Sequence, residues 1–309
     1  MKTVFLFPGQ GAQYPGMAMD LWDSSASVKK LFDAAHKTTG IDVQRLLSQG
    51  TEAELKETVN TQVGVTLANL ASATVLKERG VQADAVAGFS LGEFAALAWS
   101  GVIPVEVVFP LVQKRGAFMA AASAELDRSA GEPGMAAVLG LSPAQVDEVL
   151  KNAQIPELFG ANYNSPAQVV VSGTAQALKL AAEAFKAAGA KRVISLKVSG
   201  PFHSPLLKKA GEELAAELAK IEFADPQLAF YSNVTGGRVL TGAEAKKLAV
   251  RQVTSPVLWT VEEESLVRDG FEQIIEVGPG SVLSGLWQAI YPDKTCLAAG
   301  KLTQIAEIC

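Results

Sequence analysis

Gly88-Phe89-Ser90-Leu91-Gly92-Glu93, residues 88–93, follows a short apolar run, Asp84–Ala87, and leads into the apolar stretch Leu91–Trp99. The run before it reads as a short strand, and the stretch after it as a buried helix. The hexapeptide between them fits G-x-S-x-G. In a strand–turn–helix setting, the two glycines permit a sharp turn that pushes the serine side chain out over the end of a sheet. The helix N-terminus then aims backbone N–H groups at any negative charge forming beside that serine. A glycine-rich turn that merely joins a strand to a helix has the same bare pattern. The flanking elements favour Ser90 as a nucleophile, with the Leu91 N–H as one donor to developing charge.

Working outward, short apolar runs alternate with longer helical patterns. Thr3–Phe7 is a predicted strand ending at Pro8-Gly9, Ser27–Lys37 an amphipathic helix, and Thr61–Arg79 a long apolar helix stopped by Gly80. Strands followed by helices imply an α/β fold with a largely parallel sheet. The polar segment Ser123–Gly134 breaks this pattern. After it come a strand (Met135–Leu141), a helix (Pro143–Asn152, N-capped by Ser142), strands near Ala161–Asn164 and over Gln168–Ser172, a helix (Ala175–Ala188) and a strand (Arg192–Val198). That order, βαββαβ, is the ferredoxin-like arrangement. It predicts a small domain, residues 126–198, inserted into a large domain made of residues 1–125 and 199–309. Beyond Ser199 the α/β alternation resumes, with helices over Leu206–Lys220, Ala243–Val253, Val261–Asp269 and Val282–Ile290, and strands over Leu228–Ser232 and Gln273–Val277.

Composition narrows the function classes. Hydrophobic residues are 49% and charged residues 19% of 309, which excludes general disorder. A net charge of −5 argues against a generic nucleic-acid binder. Two cysteines, Cys296 and Cys309, cannot make a disulfide framework and suit a reducing compartment. The apolar run at the N-terminus is too short for a signal segment. Phe94–Val112, the most apolar long stretch, is interrupted by Gly101, Pro104, Glu106 and Pro110 and reads as core rather than membrane helix. The expectation is a cytoplasmic monomer without metal or cofactor, since no metal-ligand spacing is present.

A serine hydroxyl needs a base. Of the two histidines, His36 borders an apolar helix face, and a structural role suits it. His203 lies in Ser199-Gly200-Pro201-Phe202-His203-Ser204-Pro205, a loop between a strand and a helix, where catalytic bases are often carried. No Asp or Glu stands at a strand end where it would orient His203, so a backbone carbonyl is an alternative partner. Phe7-Pro8-Gly9-Gln10-Gly11-Ala12-Gln13 follows the first strand. It lacks the lysine and spacing of a phosphate loop. It reads either as an ordinary turn or as the source of a second oxyanion donor, the Gln10 N–H. Arg115, in a largely apolar helix, is either a surface charge or a fork for a substrate carboxylate.

These residues resemble the malonyl-CoA:acyl-carrier-protein transacylases of bacterial fatty-acid synthesis, and the resemblance runs almost end to end. Its landmarks are Phe7–Gln13, Gly88–Glu93, Gln113–Met119, Met135–Leu141, Asn162–Pro166, Gly200–Ser204, Val250–Gln252, Pro256–Trp259 and Glu276–Gly280. The resemblance implies an α/β-hydrolase-like large domain carrying a ferredoxin-like insert. It implies Ser90 as nucleophile, His203 as base, and the Gln10 and Leu91 amides as oxyanion hole. It further implies Arg115 as partner of the malonyl carboxylate, Asn162 lining the cleft, and the Gln252 backbone carbonyl orienting the histidine. Malonyl-CoA and acyl carrier protein are the implied partners, the carrier's phosphopantetheine being the only prosthetic group involved. Two positions depart from the family: Phe89 stands where a histidine is usual, and Pro110 lies in a normally unbroken helix, where a proline kinks or restarts it.

Three other readings share parts of the pattern. A serine thioesterase or hydrolase would use Ser90 and His203 but needs no Arg115. A polyketide-pathway acyltransferase or a malonate-decarboxylase transacylase shares the whole set; Leu91 and Phe202 favour a pocket sized for malonyl. A scaffold subunit that has lost activity sits poorly with Ser90, His203 and Arg115 all in place. An acidic carrier protein calls for a basic docking surface, and two clusters supply one: Lys186, Lys191, Arg192 and Lys197, and Lys208 with Lys209.

Overall fold

The computed structural model describes all residues, Met1–Cys309. Ten strands form two sheets: β1 (Thr3–Phe7), β2 (Ala85–Gly88), β3 (Gly134–Leu139), β4 (Leu158–Ser165), β5 (Gln168–Gly173), β6 (Arg192–Ser195), β7 (Ala229–Tyr231), β8 (Arg238–Val239), β9 (Gln273–Glu276) and β10 (Cys296–Ala298). The larger sheet has the order β10-β9-β1-β2-β7-β8 and is parallel except for β8, which pairs antiparallel with β7. β1, at its centre, alternates its side chains between two cores. Phe5 and Phe7 enter the main core, where the helices Thr58–Glu78, Gly92–Trp99 and Val105–Ala124 pack. Val4 and Leu6 face Trp259, Leu266 and Trp287 on the opposite side. A strand buried on both faces is the physical reason its sequence shows no polar alternation.

The smaller sheet, β4-β5-β3-β6, is antiparallel throughout. Its pleat again divides the side chains. Val138, Val169 and Val171 meet Val146 and Phe185 of its own two helices, Pro143–Ala153 and Ala175–Ala187. Met135, Ala137 and Val170 on the other face join the main core. The small sheet therefore packs against the large body through apolar contact. It is also joined to it by backbone: Asn162 forms a parallel bridge with Val257, in which Val257 N–H donates to Ala161 O (2.8 Å) and Tyr163 N–H to Val257 O (2.9 Å).

Several expectations need correction. The strand expected near Ala161 begins at Leu158, the one expected to reach Val198 ends at Ser195, and β8, β10 and the short helices Met19–Ser24, Val43–Gln49 and Glu52–Lys56 were not anticipated. Edge strands of two or three residues and one-turn helices are too short to show a period. Pro110 does not restart its helix, which runs from Val105 to Ala124. The carbonyl deprived of a donor four residues earlier is that of Glu106, an exposed residue in the first turn of the helix.

The junction of β2 with its helix is the tightest place in the fold. A Cβ on Gly92 would lie 1.9 Å from the Phe7 carbonyl oxygen, and one on Gly88 would lie 2.2 Å from the Gly92 carbonyl. Backbone replaces side chain at this contact, so even one methyl cannot be fitted without moving β1 or the helix. Gly92→Ala should therefore destabilise the protein by about 3 kcal/mol. A lowered denaturant midpoint at unchanged slope would record this; an unchanged midpoint would show that the contact is looser than described.

Candidate active site

The close approach at Gly92 forces the chain to turn within three residues, and Ser90 takes the left-handed conformation, φ 52°. A non-glycine residue there is strained, and the surroundings must hold it. They do so at several points. Phe89 N–H donates to Phe7 O (2.9 Å) and Ser90 N–H to Asn233 Oδ1 (2.7 Å). Asn233 Nδ2 donates back to Gly88 O (2.7 Å) and to Glu262 Oε2 (2.9 Å). The Phe89 ring meets Trp259 edge-on at 5.4 Å between centroids, so an apolar contact anchors the elbow.

His203 is also left-handed, φ 56°, and is buried. Its loop is tied by Ser123 Oγ donating to Ser199 O (2.7 Å), Ser204 Oγ to Pro201 O (2.6 Å) and Ser172 Oγ to Phe202 O (2.5 Å). Nε2 lies 2.7 Å from Ser90 Oγ. Nδ1 lies 2.9 Å from Gln252 O and 3.2 Å from Ser255 O. Carbonyl oxygens only accept, so Nδ1 carries the proton and Nε2 presents a lone pair to the serine hydroxyl. No carboxylate takes part. Burial, with Arg115 adding to it, pushes the imidazole pKa down to about 4, so His203 is neutral near pH 7.

Arg115 is fully buried from the middle of its helix. Nη1 donates to Gln62 Oε1 (2.7 Å), and Nη2 donates to Gln252 Oε1 (3.0 Å) and, more distantly, to Ser90 Oγ (3.4 Å). Phe94 lies beneath the guanidinium at 5.2 Å, and Nε has no partner. A buried fork with a donor to spare, beside a nucleophilic oxygen, is suited to an anionic substrate group. Burial lowers its pKa to about 10, which leaves it charged.

The loop after β1 meets the elbow backbone to backbone: a Cβ on Gly9 would lie 2.4 Å from Phe89 O and 3.6 Å from Leu91 N. Neither the Gln10 nor the Leu91 amide is spent on a backbone acceptor. Ser90, His203, Arg115, Gln10, Asn162 and Phe202 line one cavity of about 160 Å³, together with Phe89, Met119 and Gln62. The cavity lies between the two sheets' territories, with Asn162 coming from β4. One expectation fails here. The Leu91 side chain points into the main core, because the residue after a strained serine turns inward, and it does not shape the cavity. His36 is remote from this cluster, exposed, with Nδ1 on Ile41 O (2.9 Å).

Sequence reasoning missed four members: Gln62, Glu93, Asn233 and the side chain of Gln252. Gln62 had no signal that set it apart, because its helix also carries Asn60, Thr61, Thr66 and Asn69. Glu93 closes the G-x-S-x-G segment and is almost fully buried. Asn233 follows a strand in an unremarkable turn and offered none. The basic clusters are less free than their sequence implies. Lys208 pairs with Glu212 (3.7 Å), Lys186 with Glu183 (3.5 Å), and Lys209 with Glu125. Lys191, Arg192 and Lys197 are exposed, and Lys197 lies between two cavity-lining residues, Leu196 and Val198. No three metal-capable side chains come together, and no helix is long and apolar enough to cross a membrane.

Comparison with known proteins gives a consistent result. The family profile described as "Acyl transferase domain" matches residues 4–304. The chain is 39% identical to the "Malonyl CoA-acyl carrier protein transacylase" of Escherichia coli (strain K12) over 99% of this chain and 98% of that protein. Among solved structures, an acyl carrier protein S-malonyltransferase from Vibrio cholerae matches with a TM-score of 0.95 and 35% identity over the whole of both chains. A malonyl-transacylase in complex with the acyl-carrier protein of a type II PKS matches with a TM-score of 0.93 and 35% identity, covering 99% of this chain and 98% of that one.

The electrostatics lead to a test that needs no substrate. Ser90 is activated only while His203 is neutral. Labelling of Ser90 by phenylmethanesulfonyl fluoride should therefore persist as pH falls well below the ordinary imidazole range and fail near pH 4. Arg115→Ala removes a positive neighbour of the imidazole and should move that acid limb upward. An acid limb at the ordinary imidazole pKa, unmoved by Arg115→Ala, would contradict the described burial.

Proposed function

The chain belongs to the acyl transferase family, as one of its malonyl CoA-acyl carrier protein transacylases, and we propose that it moves malonyl from coenzyme A to a carrier thiol through a malonyl-Ser90 intermediate, in the service of fatty-acid synthesis. The observation that carries the mechanism is Ser90 Oγ within hydrogen-bond reach of both His203 Nε2 (2.7 Å) and Arg115 Nη2 (3.4 Å). A hydrolase would need the first contact and not the second.

In this reading the Ser90 hydroxyl gives its proton to His203 Nε2 as Oγ attacks the thioester carbonyl. The imidazolium that forms is stabilised through Nδ1–H by the carbonyls of Gln252 and Ser255. The carbonyl oxygen, now negative, lies between the Gln10 and Leu91 amides, both without an acceptor in the resting site. The C–S bond breaks, and His203 returns the proton to the departing coenzyme A thiolate. The phosphopantetheine thiol of the carrier then repeats the sequence: it loses its proton to His203, attacks the ester carbonyl, and releases Ser90, which recovers the proton. Arg115 holds the malonyl carboxylate. Acetyl would leave the buried guanidinium without that partner, at about 1–3 kcal/mol. Asn162 and Phe202 close the cavity around the acyl group. The reaction so described uses no metal or cofactor of the enzyme's own.

The finer architecture belongs to the same reading. The strand order of the small sheet and its alternating helices fit a ferredoxin-like unit spanning residues 126–198. That unit is inserted into an α/β-hydrolase-like body of residues 1–125 and 199–309. A cytoplasmic setting is part of it too, and two unpaired cysteines fit such a setting. For the carrier, we favour docking on Lys191, Arg192 and Lys197, whose charges are not spent on acidic neighbours, over the paired Lys208 and Lys209.

Three measurements test this. After mixing with malonyl-CoA, the wild type should gain the mass of one malonyl group on Ser90, and Ser90→Ala should gain none. Arg115→Ala should cut malonyl loading and narrow the malonyl-over-acetyl preference by about tenfold or more, with Arg115→Lys restoring only part of it. Malonyl trapped on Ser90→Ala, or an unchanged preference in Arg115→Ala, would reject the corresponding role. Charge reversal at Lys191, Arg192 and Lys197 should raise the apparent KM for carrier protein at low salt while leaving loading from malonyl-CoA nearly unchanged. Unaltered carrier kinetics would move docking elsewhere.

A further inference from the structure

Behind the elbow lies a carboxyl group that the mechanism above does not use. Glu93 sits in the first turn of the helix after Ser90, about 1% exposed. It accepts hydrogen bonds from Ser232 Oγ (3.1 Å), Asn233 N–H (3.2 Å) and Gln252 Nε2 (2.8 Å). The same Gln252 nitrogen donates to Ser90 O (2.8 Å), and the other end of the amide, Oε1, accepts from Arg115 Nη2 (3.0 Å). One amide thus stands between a buried carboxyl and a buried guanidinium. No salt bridge joins Arg115 directly to any acid.

We propose that Glu93 is a positioning residue for substrate selectivity: it is the buried counter-charge of Arg115, connected through the side-chain amide of Gln252, and it gives up that role to the substrate's own carboxylate. The idea rests on Arg115 receiving the malonyl carboxylate. An acid in direct contact with Arg115 would occupy the fork and exclude the substrate. With no acid nearby, the guanidinium would be a lone buried charge, which is costly. Placing the acid one amide away balances the charge and leaves donor positions free. The amide also fixes the plane of the guanidinium, because its nitrogen is held by Glu93 and by the Ser90 carbonyl at once.

The arrangement has a consequence for protons. A malonyl carboxylate on Arg115 brings a second negative charge towards Glu93, and the two compete for one cation. The charged or titratable groups that act on Glu93 are Arg115 on its helix and Glu262 on the helix Trp259–Arg268, with Glu263 beside Glu262. Burial raises Glu93 to about 7, against the opposing pull of its hydrogen bonds and of Arg115, so its charge changes within the working range. Burial raises the Glu262 carboxyl well above the usual carboxylate range and that of Glu263 to about 9. Protonated Glu93 leaves the whole field of Arg115 to malonyl, whereas ionised Glu93 shares it. Malonyl selectivity should therefore be greatest on the acid side and decline as pH rises through about 7.

The test is the ratio of loading rates, kcat/KM, for malonyl-CoA against acetyl-CoA between about pH 6 and pH 8.5. Both reactions need neutral His203 and both carry the coenzyme A phosphates, so these contributions cancel in the ratio. The malonyl carboxylate stays ionised throughout. In the wild type the ratio should fall by about tenfold across this range. Glu93→Gln retains an acceptor for Gln252 and should make the ratio independent of pH. A flat wild-type ratio, or the wild-type slope persisting in Glu93→Gln, overturns the proposal. Should that variant not fold, proton uptake by the wild type decides: in weakly buffered solution near pH 7.5, forming the malonyl-enzyme should take up more protons than forming the acetyl-enzyme, and equal uptake overturns the proposal. Failure of the Arg115 reading itself is seen separately, as an unchanged preference in Arg115→Ala at a single pH.

Discussion

The contact between Gly92 and the carbonyl of Phe7 constrains everything around it. A helix that begins directly on a neighbouring strand leaves no length for a relaxed turn, so Ser90 must adopt φ 52°. The strain has to be met by fixed partners, and these are the amide of Asn233, the carbonyl of Phe7 and the ring of Trp259. Each partner in turn pins another element: Asn233 reaches Glu262, and Trp259 begins the helix beneath the second core. The loop after β1 likewise lies against the elbow, where a Cβ on Gly9 would meet the Phe89 carbonyl.

A second left-handed residue, His203, faces the first, so two strained backbones meet at a 2.7 Å hydrogen bond. Neither would keep its conformation alone. The polar groups beneath them form a continuous set running from Glu262 through Asn233, Glu93 and Gln252 to Arg115 and Gln62. Most of these donors and acceptors are matched, which is the condition under which a buried polar cluster specifies geometry instead of merely costing stability. Arg115 Nε, at the cavity end, and Glu262 Oε1, at the far end, are the atoms of the set left without a partner.

Much of this was legible in the sequence for definable reasons. The elbow declared itself because glycines, serine and flanking elements all carry local signals. With only two histidines, His203 could be identified by placement alone. The order of strands and helices from Gly134 to Ser195 was visible because most of them are long enough to show a period. What escaped notice was of another kind. β8 and β10 are too short to pattern, and the Pro110 helix stayed whole with its proline one turn after the exposed Glu106. Asn233 and the Gln252 side chain act only through partners far away in the chain, such as Ser90 and Arg115, and no local rule records such pairings. Leu91 was misjudged in direction: its side chain belongs to the core and not to the cavity wall.

The segment from Gln252 to Leu258 ends its course in three separate places. The carbonyls of Gln252 and Ser255 hold the imidazole, Val257 is stitched to β4 on both its amide and its carbonyl, and Leu258 N–H reaches Asn233 O (2.8 Å). Swinging the small sheet away from the body would therefore pull on the very peptide groups that keep the histidine proton on Nδ1. A widely opened cleft and a correctly aligned base are mechanically incompatible. The long arms of coenzyme A and of the carrier must then thread into a site that stays shut around its reacting atoms, and a molecule of water that enters while the cleft gapes finds the base out of line.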